Sequence, residues 1–437
     1  SVRRDGSSKF GADRKWGVFP SVSAAWRISD ERFFEPLQKY VSDLKIRGGW
    51  GIIGNAGITN YLALSTLASS GYVLGAGSAV SPAYTEGKIA NSSLGWEETT
   101  DWGAGIDAEL LGNRINLTID YFYRHTQNML FRMPLPVITG FGDYMANIGA
   151  MRNRGFEYSV TSRNLVGAFK WTTSANLSYY RNRVLDIGKD KRPLLNNDGY
   201  TTEGRPIAGI YGGVFLGPYR DWEDVKTSPI VNANNPDWKF RSSPGTPKLA
   251  DVNGDGIIDA SDNTIIGSPI PDFIWGMTNT FEYKGLDLTV QINGTQGGDV
   301  SMRQMEGIFA RGLGNSNTTY DYYNNYWTPE RPDAKYSAPN RKSYDGTNTS
   351  GTLLYKGTFV NIQNIALGYT LPVSVTDRLN LSRVRLYTTI LNAWYITKFP
   401  GYNPEANAQG ENPLSQGINR DSYPMSRSVS FGVNLSF

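Results

Sequence analysis

The chain has no cysteine, and histidine occurs once, at His125. Without thiols there can be no disulfides, iron–sulfur clusters, thiolate metal sites or thiol nucleophiles. A single imidazole leaves histidine-based zinc sites and serine-type triads without their parts. No run of about 18 apolar residues is present, which excludes membrane-spanning helices. It leaves room for a membrane β-barrel, whose signature is alternation rather than long apolar runs. Neither sign of charge dominates: 43 Lys and Arg against 40 Asp and Glu give a net +3, too balanced for a general polyanion binder, so no nucleic-acid partner is expected. The sequence opens on Ser1 with no charged-then-apolar leader, so in an exported protein the targeting segment would be removed or lie upstream.

What is abundant is glycine (48 residues), aromatic side chains (13%) and period-two alternation. Its 437 residues would ordinarily suggest about three domains, but alternation recurs about a dozen times and predicts one sheet-based unit. Near the start, Trp16, Val18, Val22, Ala24, Trp26 and Ile28 share one face. Trp102, Ala104, Ile106, Ala108 and Leu110 oppose Asp101, Gly103, Asp107 and Glu109. Leu286, Leu288, Val290 and Ile292 form another apolar row. The last row, Val429, Phe431, Val433, Leu435 and Phe437, opposes Ser428, Ser430, Gly432, Asn434 and Ser436.

Connections alternate in length. Those near 29–43, 111–114, 164–168, 284–285 and 372–382 are short, and those at 54–95, 127–150, 185–271, 294–356 and 394–423 are long. Short turns on one rim and long loops on the other are the arrangement of outer-membrane barrels. A soluble β-sandwich also alternates, but its outward face would carry more charge than these Trp, Tyr, Ile and Leu rows. The polar rows suit a water-filled lumen, and aromatic residues towards strand ends suit interfacial girdles. An ordinary hydrophobic core is the plainer reading of those aromatics.

Within the 185–271 loop, DVNGDGIIDASD (251–262) has the oxygen-ligand spacing of a calcium loop. Asp251, Asn253 and Asp255 take positions 1, 3 and 5, Gly256 the bend at 6, and Ile257 offers its carbonyl at 7. Asp259 and Asp262 take positions 9 and 12. Asp at position 12 is shorter than the usual Glu, and an Asp/Asn/Gly turn without metal is the alternative. Calcium here would be structural, and Ile258 would anchor the loop in apolar surroundings.

The long loops are also rich in aromatics. Tyr320, Tyr322, Tyr323, Tyr326 and Trp327, together with Trp222 and Trp238, are the candidates for contact with a ligand or a lid; a small core within a large loop is the competing reading. Met302, Met305, Ile308 and Phe309 fall near helical spacing. Sequons at Asn91, Asn116 and Asn176, and the glycine-rich stretch 209–217, carry no chemistry of their own. No acid, base and nucleophile converge, so an enzyme is not expected.

Several segments in order then resemble one family: RRDGSSKFGADRKWGVFPSVSAAWRIS (3–29), LKIRGGWGIIGN (44–55), NIGAMRNRGFEYSV (147–160), DVNGDGIIDASDNTIIGSPIPDFIWGMTNTFEYKGLDLTVQINGTQGGDV (251–300), FVNIQNIALGYTLP (359–372), LNAWYITKFPGYNPEA (391–406) and YPMSRSVSFGVNLSF (423–437). They are similar to the SusC/RagA-type TonB-dependent outer-membrane transporters of Bacteroidetes. The resemblance implies an all-β fold, a transmembrane antiparallel β-barrel, of which residues 1–437 supply about 12 C-terminal strands out of 22, without the plug domain. It further implies import of a glycan oligomer or oligopeptide across the outer membrane of a Gram-negative bacterium. The implied partners are a SusD-like lipoprotein capping the mouth, the TonB–ExbB–ExbD complex acting through the missing N-terminal part, outer-membrane lipid, and a second SusC–SusD pair in a dimer. A passive or self-closed twelve-stranded barrel is the runner-up, and a soluble calcium-dependent carbohydrate-binding β protein the third reading.

Overall fold

The computed structural model describes residues 1–73, 80–196, 199–231, 242–303, 317–339, 353–405, 407–408, 410, 412–420 and 422–437. Twelve strands form one antiparallel ladder in which sequence neighbours are spatial neighbours. They are β1 (Val2–Gly6), β2 (Trp16–Arg27), β3 (Val41–Asn55), β4 (Glu97–Leu110), β5 (Ile115–Gln127), β6 (Ala150–Val166), β7 (Phe169–Asp186), β8 (Pro271–Tyr283), β9 (Leu286–Gly297), β10 (Phe359–Thr370), β11 (Arg383–Thr397) and β12 (Ser428–Ser436). Among the described residues β1 and β12 are the two edges of this sheet. The expected strand count is met with β1, which alternation did not reveal; Ile28, read as the end of β2, lies in a short 3-10 turn.

The chain divides into two compact units. One comprises 1–162, 178–193 and 202–205, the other 163–177, 194–201 and 206–437. In the first unit, pairing of Trp50 with Trp102 and of Ile46 with Ile106 keeps apolar side chains on one face across β3 and β4. Trp16, Val22, Trp26, Trp102 and Ile106 are exposed on it. In the second unit Leu288 pairs with Leu367 and Val290 with Ile365, and the row continues through Ile390 to Val429. Phe431 there is 84% exposed. A sheet that turns its largest apolar side chains outward is the inverse of a soluble sandwich and matches a strand set solvated by lipid.

The short turns are tight. Lys284 (φ 46°) and Gly285 (φ 83°) join β8 to β9, and two successive left-handed residues make the two-residue hairpin whose twist matches that of the strands. Buried apolar clusters occur in the long loops instead of between sheet layers. In the first unit Phe10, Ile58, Leu62, Ala63 and Leu94 form one. In the second, Val300, Met302, Tyr322, Tyr336, Leu353 and Phe399 form another. Met302 closes a short strand, Asp299–Met302; Met305, Ile308 and Phe309, expected on a helix with it, lie outside the described residues.

Candidate functional site

Two parts of the molecule carry polar chemistry: the face of the sheet opposite the apolar rows, and the long loops of the second unit. On the first unit's sheet, alternation places Lys45, Arg47, Asp107 and Asp120 on the polar face. Arg47 Nη2 lies 2.6 Å from Asp120 Oδ1 and its Nε 3.1 Å from Asp107 Oδ2. Lys45 Nζ reaches the same Asp107 oxygen at 2.9 Å. Gly49, Gly51 and Gly103 leave the neighbouring wall bare, and a cavity of about 920 Å³ lies against it. On the second unit's sheet, Arg385 grips Asp287 through Nε (3.0 Å) and Nη2 (2.5 Å). These cross-strand pairs were not singled out from the sequence. Lys45 and Arg47 meet Asp107 on the neighbouring strand, whereas Arg47 reaches Asp120 across β4 at Gly105 and Arg385 reaches Asp287 across β10 at Gly368; such pairing needs a register to be read.

The aromatic candidates divide by burial. Helix α1 (Trp222–Thr227) starts at Asp221, whose carboxylate accepts from Asp224 N at 2.8 Å, and it leaves Trp222 exposed. Helix α2 (Tyr320–Asn325) is capped by Thr319. Tyr320 is 88% and Tyr323 63% exposed, whereas Tyr322 is 4% exposed. The Tyr322 hydroxyl donates to Ser337 O at 3.0 Å, and its ring stacks on Tyr326 at 5.8 Å. Trp327 Nε1 donates to Arg220 O at 3.2 Å, while the Arg220 guanidinium pairs with Asp333 at 2.9 Å. Segments 219–222 and 317–339 are thereby held together. Tyr322 and Tyr326 belong to the loop core, and Trp222, Tyr320 and Tyr323 are presented to solvent. Trp238 lies outside the described residues.

Asp321 ties this cluster together, accepting from Tyr336 Oη at 2.5 Å, Lys335 Nζ at 2.9 Å and Asn325 Nδ2 at 2.8 Å. The hydrogen bonds from Tyr336 and Lys335 hold its carboxyl below the usual range. Burial, with Tyr326 nearby, pushes the Tyr322 phenol up to about 12. Burial, and then the hydrogen bond to Asp321 with its charge, raise Tyr336.

The loop 251–262 folds on its own carboxylates. Asp251 accepts from the N–H of Gly254 (2.7 Å) and Gly256 (2.8 Å), both at positive φ. Asn253 Oδ1 accepts from Asp255 N, Asp255 Oδ1 from Ile257 N, and Asp259 Oδ1 from Ser261 N. Asp262, 2% exposed, accepts from Val252, Asn253 and Asp259 N–H groups. Burial opposes its ionisation, yet these three donors outweigh it and hold the carboxyl below its ordinary value. Ile258 is buried, and Ile257–Ile258 pairs in parallel with Ile230–Val231. Among the described residues no three acidic or histidine side chains converge as a metal-binding group. The loop oxygens present suit a hard cation in kind, while their present partners are backbone N–H groups and, for Asp255 Oδ2, the Asn253 amide at 3.0 Å.

A sheet with lipid-facing apolar rows, a charge-paired polar face and long connections alternating with short turns defines an outer-membrane β-barrel protein, located in the outer membrane of a Gram-negative bacterium. The chain belongs to the family described as TonB dependent receptor-like, beta-barrel, whose profile matches residues 1–242. TonB-dependent receptor P26 of Formosa agariphila is 31% identical over 447 residues, covering 100% of this chain and 44% of that protein. TonB-dependent receptor SusC of Bacteroides thetaiotaomicron is 29% identical over 453 residues, covering 100% and 42%. The structure of the RagAB peptide transporter superposes with a TM-score of 0.81 at 23% identity, covering 100% of this chain and 45% of that one, a likeness of fold. The family read from the sequence motifs is thus borne out. The chain spans less than half the length of the curated relatives it matches.

Proposed function

We propose that the receptor containing this chain is a TonB-dependent active importer of a large nutrient, an oligosaccharide or oligopeptide, and not an enzyme. The observation that carries this reading is the charge-paired polar face of the sheet, with its cavity of about 920 Å³ in the first unit, on a chain whose opposite face is solvated by lipid. A polar wall backed by lipid suits passage of a hydrated solute. The relatives are TonB-dependent receptors by name, and the fold resembles part of the RagAB peptide transporter, which supports the reading. A SusD-like lipoprotein would dock over the long loops, with Trp222, Tyr320 and Tyr323 offering contact and Trp327 positioning them. The energy would come through TonB–ExbB–ExbD, and two such pairs would form a dimer.

The loop 251–262 is read as a structural calcium loop, on its spacing and donor set. In that role Asp251, Asn253, Asp255, Asp259, Asp262 and the Ile257 carbonyl would hold the ion and order the surrounding loop. Import is tested in a strain lacking the receptor gene, fed a defined oligosaccharide or peptide mixture as sole carbon or nitrogen source. Growth lost with the gene and also lost with tonB supports active import and names the substrate class. Growth lost with the gene but indifferent to tonB favours a passive pore and overturns it.

A further inference from the structure

We propose that the lipid-facing wall of the second unit carries a binding site for the ester carbonyl of a glycerophospholipid, built on Asn279. Asn279 pairs with Val290 and so lies on the apolar face, among Phe169, Trp171, Phe281 and Tyr283. The Asn164 amide donates to Thr173 Oγ1 at 2.8 Å, and the Thr173 hydroxyl donates to Asn279 Oδ1 at 2.7 Å. Trp171 Nε1 donates to the same oxygen at 3.0 Å. An indole N–H can only donate, so it fixes the amide: the oxygen faces Trp171 and the NH₂ group points away. Both lone pairs of Oδ1 are taken. Among the described residues nothing accepts from Asn279 Nδ2.

Depth makes this donor informative. Asn279 lies four residues before Tyr283, the end of β8 at the Lys284–Gly285 turn. At about 3.4 Å per residue and a tilt of about 40°, that places it roughly 10 Å inside the turn. Between it and the rim sits an aromatic stack, Trp171 on Phe281 at 5.7 Å and Phe169 on Phe281 at 6.2 Å. An amide N–H facing hydrocarbon without an acceptor is costly. At this depth a bilayer supplies one abundant group that accepts and cannot donate, the acyl ester carbonyl. Lys284, with Nζ 5.3 Å from the Tyr283 ring centroid, stands at the turn where the same lipid's phosphate would lie. The geometry selects a diacyl lipid of the leaflet on the short-turn side.

The test is native mass spectrometry of the intact, detergent-purified receptor titrated with diester phosphatidylethanolamine or its diether analogue of equal chain length. Wild type should retain the diester with a preference of roughly threefold to tenfold, the range one net hydrogen bond provides. Asn279→Leu should retain both lipids equally. Equal retention by wild type, which needs no variant to fold, overturns the proposal. So does a preference that persists in Asn279→Leu. Loss of a second receptor copy in the variant, with lipid retention unchanged, would assign this face to a protein contact and equally overturn it.

Discussion

Gly245 offers a sharp perturbation of the loop platform that presents the exposed aromatics. Its φ is +85°, and a Cβ there would lie 2.6 Å from the Trp327 ring and 2.8 Å from Ala338 Cβ. Its N–H donates to Tyr219 O at 2.8 Å, and its carbonyl accepts from Ala338 N at 2.7 Å. Gly245→Ala therefore adds two costs: about 1–2 kcal/mol for a left-handed non-glycine residue, and about 1–3 kcal/mol for forcing a methyl into packed surroundings. The sum, about 2–5 kcal/mol, corresponds to a shift of more than about 25-fold in local opening. Gly254 is the control, because it also has positive φ (+77°) but open space around its Cβ. Gly254→Ala should cost the backbone term alone, about 1–2 kcal/mol. Hydrogen exchange followed residue by residue separates these effects. In Gly245→Ala the amides of Gly245 replacement, Ala338 and Trp327 should lose protection while β9 and β10 keep theirs. Unchanged protection at Ala338 and Trp327 would refute the packing argument.

Other outcomes follow from the same geometry. Arg47→Ala leaves Asp120 without its cation and Asp107 with Lys45 alone, and should destabilise the barrel by about 1 kcal/mol; thermal unfolding in detergent reads this, and Asp120→Asn should be milder. Asp321 and Asp262 both have depressed carboxyl pKa values in the folded state. Their contribution is therefore present above the ordinary carboxylate pKa and is lost as pH falls through the lower folded value. Limited proteolysis of the loops should accelerate on acidification below about pH 4, and the acid response at 251–262 should disappear in Asp262→Asn. Calcium titration by calorimetry should show binding in wild type and none in Asp251→Ala/Asp262→Ala; absence of binding in wild type returns the loop to a hydrogen-bonded turn. Trp222→Ala/Tyr323→Ala should weaken capture of a co-expressed surface lipoprotein without changing barrel stability.

The strands were legible wherever alternation was long. β9 and β12 each repeat apolar and polar residues over enough positions that no other period fits. β1 was not, because VRRDG has a single apolar residue; it is held by pairing with β2, from Val2 with Pro20 to Gly6 with Trp16, and by Arg4 over the Trp16 ring. Such a strand is specified by its neighbour, which a one-dimensional pattern does not display. The short loop strand Gly209–Gly212 is specified in the same way, by Thr264–Gly267 more than fifty positions away. In the tyrosine-rich segment, helix α2 stops at Asn325 and Tyr326 is extended, so what sorts buried Tyr322 from exposed Tyr320 and Tyr323 is its contact with Tyr336 and Ser337, which helical spacing does not display. The Asn279 network had no sign in the sequence either, since it joins residues more than a hundred positions apart.

Lipid on one face and water on the other is the central claim, and the absence of cysteine makes it directly measurable by spin labelling. Single cysteines placed in turn from Leu286 to Ile292 of β9, in the receptor freed of any other thiol and reconstituted in bilayers, would carry nitroxides for power-saturation EPR. Labels at positions 286, 288, 290 and 292 should collide with oxygen dissolved in the lipid. Labels at 287, 289 and 291 should respond to a water-soluble nickel chelate. An accessibility profile with period two is the expected result. Uniform access of the nickel chelate to all seven positions would contradict a membrane-spanning strand.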